Sequence, residues 1–160
     1  MAVKGTIQFK DGEGNDLKGP REDGSSLILD FSFGVTLPFD AQGKIQGQRS
    51  VMPFTITKEI DQLTPQLAQI ICTAARCSMI TVFLFRIEPE TGLEKNYFIY
   101  VFEDAHIVQQ ANSMPSITNK DNEHVGHLES ISFVAKRVTW LFKEGNIQFM
   151  DEPALHFTEG

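Results

Sequence analysis

Two cysteines, Cys72 and Cys77, are the whole thiol complement of this chain. Two cannot build a disulfide framework, and within one helix they would lie on different faces, too far apart to bridge easily. Both are expected as reduced thiols, Cys72 beside the core, in a chain that folds in a cytoplasm. Long apolar runs are also missing. None approaches the roughly 18 residues of a membrane span, so no membrane insertion is expected. The opening residues, M-A-V-K-G-T-I-Q-F-K-D-G, hold no apolar core and no small-residue cleavage site, so they do not read as a secretory signal. Positive charge is scarce: 14 Lys and Arg against 21 Asp and Glu leave a net charge of −7 and a pI near 5.0. With no basic stripe, nucleic acid is not expected as a partner. Catalytic signatures are lacking too. No G-x-S-x-G surrounds Ser25, Ser26 or Ser50, and the glycines between 11 and 24 follow neither a dinucleotide-binding nor a Walker pattern. Glu88, Glu90 and Glu94 read as a solvated loop. The chain is therefore not expected to be an enzyme or to need a cofactor.

What is present is phenylalanine and alternation. Thirteen Phe, in 160 residues that are 41% apolar, suit the interior of a sheet within one domain spanning 1–160. The organising stretch is 52–76. Phe54, Ile56 and Lys58 alternate with Thr55 and Thr57 as a strand. A helix over about 64–76 then follows, with Thr64 as N-cap, Pro65 at the first helical position and Leu63 as a hydrophobic staple. Its apolar face is Leu67, Ile70, Ile71, Ala74 and Ala75. Nearly everything else reads as strand. Leu27, Leu29, Phe31, Phe33, Val35 and Leu37 hold every odd position of one segment, which predicts one buried face. Segments 79–87 and 97–102 are apolar on both faces and need cover on both. One cover is a barrel interior; the other is the helix or a neighbouring subunit. In 128–142 the buried phase changes from odd to even near Lys136 and Arg137, as a bulge or bend would cause. The expected fold is mainly β: an antiparallel β-barrel of two tightly packed sheets, about eight strands, with one flanking amphipathic helix.

His124 and His127 form an H-x-x-H pair flanked by Glu123 and Glu129. They run from a loop into a strand with no third ligand marked by spacing, so loop anchoring is the preferred reading over a metal site. The segment 38–50 holds Gly43, Gly47 and three Gln and reads as a long loop or flexible hairpin, a candidate contact arm. Apolar two-sided strands, a bare arm and no active site together favour self-association over catalysis. The rival from another class is a monomeric barrel holding a small apolar ligand behind its phenylalanines.

Several pieces, in order, resemble the haemolysin-coregulated protein (Hcp) family, tube proteins of the bacterial type VI secretion system. They are Arg49 to Leu67 (R-S-V-M-P-F-T-I-T-K-E-I-D-Q-L-T-P-Q-L), with its K-E-x-D and Thr-Pro helix start; Tyr97-Phe98 with Glu103-Asp104; and Met114-Pro115. The end adds H-L-E-S-I-S-F from His127 and V-T-W-L-F-K-E-G-N-I from Val138. The chain departs from the family where members often close the helix with Thr-Gly; here Thr73 is followed by Ala74, so the helix is expected to run a turn longer. The resemblance implies a homohexameric ring, rings stacked into a tube, and expulsion from the cytoplasm by a contractile sheath beneath a VgrG spike. It also implies small effectors in the lumen; at 160 residues the chain is expected to be too short for the appended toxin domain of some longer relatives. On that footing Ile45, Gln46 and Arg49 are the expected contact residues toward the adjacent ring or subunit, and Ser32 or Thr36 are placed on the lumen wall.

Overall fold

A computed structural model describes residues 3–153. In chain order it contains β1 (Gly5–Asp11), β2 (Ser26–Ile28), β3 (Asp30–Ser32), β4 (Val35–Thr36), β5 (Ser50–Val51), β6 (Phe54–Glu59), α1 (Leu63–Cys72), β7 (Cys77–Ile87), β8 (Glu94–Ser113), β9 (Leu128–Phe142) and β10 (Ile147–Asp151). Eight strands make one antiparallel sheet in the order β2-β1-β7-β8-β9-β6-β3, with β10 added to β9; β4 and β5 pair separately. The stretch 26–32 rolls this sheet into a nearly closed barrel. Its first half pairs with β1 and its second with β6, and between them the Leu29 N–H donates to the Thr57 carbonyl at 2.7 Å. The two ends of the sheet are thus consecutive pieces of one segment. The expected β-barrel with a flanking helix is what forms.

Alternation decides what fills the barrel. Ile7 and Phe9, Phe54 and Ile56, Ile80 and Val82, and Ile131 and Phe133 all point inward and are buried. The Phe102 ring lies 5.0 Å from Phe54 and 4.9 Å from Phe133, tilted edge to face. The void among Phe33, Phe54, Phe102 and Phe133 is about 10 Å³, at the lower limit for a single water. A ligand held among these four rings would need a hollow there, and the rings themselves occupy it.

The helix differs from its expectation at both ends. It starts at Leu63, and Asp61 rather than Thr64 holds its first turn. The Asp61 Oδ1 accepts the Leu63 N–H at 2.8 Å, and the Thr64 hydroxyl accepts the Asp61 N–H at 3.1 Å, the reciprocal pattern of a capping box. At the other end it stops at Cys72, not Arg76. Ala74 adopts φ 54°, and the Ala75 and Ala74 N–H groups donate back to the Ile70 and Ile71 carbonyls. This is a Schellman closure with alanine where glycine is usual. The extra turn expected from the missing glycine does not form. The cysteines also exchange places: Cys72 ends the helix exposed, whereas Cys77 opens β7 fully buried. Burial pushes the Cys77 thiol up to about 11.

The odd-numbered row from 27 to 37 is the larger correction. The segment breaks into three short strands. Of its six apolar side chains Phe33 packs against the core and Phe31 stacks on Phe54 at 5.2 Å while staying partly exposed; Leu27, Leu29, Val35 and Leu37 are exposed. The phase change near Lys136 and Arg137 is present, and β8 carries its mirror image. Buried positions run Phe102, Ala105, Ile107 on β8 and Ile131, Phe133, Ala135, Val138 on β9, while Asp104 takes φ 51° between them. The register from Glu103–Arg137 to Ala105–Ala135 is unbroken. Both strands therefore kink together, and each half of the pair turns a different set of side chains outward.

Candidate functional site

Between β3 and β6 the chain leaves the barrel as an arm. Val35 pairs with Val51 and Thr36 with Ser50, and a bridge joins Phe39 to Ile45. Its tip is ordered by one carboxylate. The Asp40 Oδ1 accepts the Gln42 and Lys44 N–H groups, and Oδ2 accepts the Gln46 side-chain amide. Gly43, at φ 80°, supplies the left-handed position this turn needs. The Lys44 N–H, followed by the Gln46 and Gln42 donors, holds the Asp40 carboxyl below its ordinary value. The base of the arm is pinned by Arg49, which meets Asp151 with both Nε (2.7 Å) and Nη2 (2.8 Å) and also donates to the Glu152 carbonyl. Such a bidentate fork fixes direction as well as distance. Of the two sequence readings, long loop or flexible hairpin, the hairpin forms, and it is braced rather than loose.

Of the three residues expected to make contacts, two therefore brace the arm itself. Gln46 serves the tip and Arg49 the base; Ile45 is 58% exposed. Val35, Leu37, Phe39 and Met52, on the same arm or at its base, are exposed as well. The arm is an apolar projection in which Asp40, Gln46 and Arg49 are occupied internally.

The two residues placed on a lumen wall separate. Thr36 sits on the arm. Ser32 opens a row that crosses the barrel exterior as Ser32, Thr55, Ser132 and Gln109, parallel to a second row of Asp30, Thr57, Ser130 and Ala111. Thr55 and Ser132 share a hydrogen bond at 2.9 Å. This outer face is almost wholly hydroxyl and amide, with Asp30 its one charge among these eight positions. Inward-pointing residues alternate with it at Phe54, Ile56, Ile131 and Phe133, so period two, not any binding motif, creates the stripe.

Sequence reading missed a buried polar knot. Lys58 and Glu129 are both 0% exposed. The Lys58 ammonium lies 2.6 Å from Glu129 Oε1, 2.9 Å from Asp61 Oδ1 and donates to the Glu59 carbonyl. Glu129 also accepts from the Thr64 hydroxyl and the Gln110 amide, and Ser26 donates to Asp61. Burying these charges costs less than their exposure pattern implies because each has its partners. The knot joins β2, β6, α1, β8 and β9, and it clamps the helix to the barrel. Lys58 at an inward strand position was the available signal; its partner Glu129, 71 residues on, was not. His124 and His127 are exposed in the loop before β9, where the His127 carbonyl accepts the Ile60 N–H. Among the described residues no group of three or more His, Cys, Asp and Glu is placed to hold a metal ion, and no helix is long and apolar enough to cross a membrane.

Comparison with known proteins agrees with this architecture. The family model described as "Type VI secretion system effector, Hcp" matches residues 3–142. The "Major exported protein" of Pseudomonas aeruginosa is 30% identical over 149 residues, covering 88% of this chain and 86% of the relative. Among solved structures, the Hcp1 protein from the E. coli EAEC 042 pathovar superposes with a TM-score of 0.82 at 28% identity, over 94% of this chain and 99% of that one. The secreted protein Hcp3 from Pseudomonas aeruginosa gives 0.77 at 20% identity, over 94% and 98%, which speaks for the fold.

Proposed function

This chain belongs to the Hcp family of type VI secretion proteins, and on that premise we propose that it is a structural subunit of the secretion tube, forming hexameric rings that stack. The observation that carries the reading is the apolar arm: a braced hairpin with Val35, Leu37, Phe39 and Ile45 exposed along it. A soluble monomer rarely displays such a run without a partner for it. A patch that fits a different patch on its copy makes heterologous contacts, which close into rings. In this reading the hydroxyl face around Ser32, Thr55 and Ser132 lines the lumen. Uncharged, short side chains there suit passage of small effectors, whereas Thr36, out on the arm, belongs to contacts between subunits. The VgrG spike and the contractile sheath are the remaining partners. The subunit is made in the cytoplasm and leaves through the apparatus it builds, as the exported relative supports.

Size-exclusion chromatography with light scattering tests this directly. The expected mass is about six times the 18.0 kDa chain; a strictly monomeric protein at high concentration overturns the proposal. Deleting Gln42 to Gln48 should abolish assembly, and an unchanged ring would remove the arm from it. Bulky substitution of Ser32 should block effector capture while leaving the ring intact.

A further inference from the structure

The barrel has a second outer face, on the far side of the paired kink, and its chemistry is the opposite of the hydroxyl stripe. Leu27, Thr6, Phe83, Ile99, Leu141 and Gln148 lie side by side across β2, β1, β7, β8, β9 and β10. The next row centres on Val101 between Thr81 and Thr139. The third is a charged border, where Glu103 faces Arg137 and Arg137 also grips Glu152. An apolar line, then hydroxyls, then paired charges at the edge is the gradation of a protein interface from centre to rim. Phe83, Ile99 and Leu141 are only half-buried within the chain. The helix does not account for them, because its Thr64 meets Glu129 and Gln110 on the other side of the kink.

We propose that this face, centred on Phe83, Ile99 and Leu141, is the seat for the arm of a second copy of the same chain. The proposal rests on the tube-subunit reading and adds its docking geometry. Three observations select that occupant. First, copies carrying a net charge of −7 repel one another, so they must meet through uncharged surface. The central row carries no charge, and the border charges are paired within the chain. Second, the arm offers matching chemistry: Val35, Leu37 and Phe39 are exposed, while Asp40 and Arg49 are held by their own neighbours. Third, the dimensions agree. Six strands at about 4.8 Å spacing make a row roughly 24 Å long, and seven arm residues, 35 to 41, at about 3.3 Å each span roughly 23 Å. Arm and seat are different surfaces, so each copy gives one and receives the other.

The test is a pair of single variants and their combination, sized by light scattering with melting followed by circular dichroism. Ile99→Glu should fall from about six chain masses to the 18.0 kDa monomer while keeping a cooperative melt, and Leu37→Lys should do the same. The double variant Leu37→Lys/Ile99→Glu places a cation on each arm and an anion on each seat, and it should regain the assembly. Should Ile99→Glu unfold, Ile99→Thr/Leu141→Thr keeps strand propensity and should weaken assembly at least tenfold in concentration. Wild-type-sized assemblies from Ile99→Glu or the threonine pair overturn the seat, and a double variant that stays monomeric removes the arm as its occupant. A wild-type protein that is itself monomeric sinks the tube-subunit reading instead, which keeps the two failures apart.

Discussion

Replacing Lys58 by Met is the sharpest probe of what holds α1 to the barrel. The side chains are similar in length, so shape is nearly kept while the ammonium is lost. That ammonium lies 2.6 Å from Glu129 Oε1 and 2.9 Å from Asp61 Oδ1, with Lys58 and Glu129 fully buried. Without it, Glu129 retains only the Thr64 hydroxyl and the Gln110 amide as donors, and a carboxylate stays in the interior with no counter-charge. Breaking one side of a buried pair costs about 3–5 kcal/mol. In a chain of this size that lowers Tm by roughly 6–20 °C. Urea unfolding and thermal melts, read at a single protein concentration because association adds to apparent stability, measure it. Removing the orphaned charge as well, in Lys58→Met/Glu129→Leu, should recover much of the loss, since a well-packed apolar replacement of an ion pair is often close to neutral. A single Lys58→Met within 1 kcal/mol of the parent, or a double variant worse than the sum of its singles, would refute the reasoning.

Ala74→Gly should stabilise the chain by about 0.5–1 kcal/mol, because φ 54° strains alanine and suits glycine; a chemical denaturation midpoint that moves down contradicts this. Titration with a thiol reagent at pH 8 should count one reactive cysteine in the native protein and two in denaturant. Cys72 is exposed, whereas the Cys77 thiol is buried with its pKa pushed up to about 11. The arm tip should loosen in acid. Asp40 is held below its ordinary value by the Lys44 and Gln42 N–H groups and the Gln46 amide, so its contribution is complete above the ordinary range, about 3.9. It disappears as pH falls through the lower folded value. Asp40→Asn should reproduce that loosening at neutral pH, seen as faster amide exchange at Gln42 and Lys44.

The barrel itself was legible because period-two alternation is a local signal. Phe54, Ile56 and Lys58 pointed the same way in sequence and in space, and the phase change at Lys136 and Arg137 was visible as a break in one strand's rhythm. Its counterpart at Asp104 was hidden, since Glu103, Asp104 and Ala105 carry no alternation to break. The row from Leu27 to Leu37 misled for a physical reason: alternation reports that one side of a segment is apolar, not which surface will cover it. Leu27, Leu29, Val35 and Leu37 of that row are exposed. Thr73-Ala74 likewise gave no warning that an alanine would take a glycine's conformation. The polar knot was unreadable because its members are far apart in sequence, and each taken alone resembles an ordinary surface charge.

The paired kink at Asp104 and Lys136 gives β8 and β9 a division of labour along their own length. Upstream of the bend on β8 the outward side chains are Ile99 and Val101; beyond it they are Gln109 and Ala111. One hairpin therefore wears two liveries, and either can be rewritten without disturbing the other. A single residue inserted ahead of the bend would invert the first set while sparing the second, so the two outer faces can diverge separately.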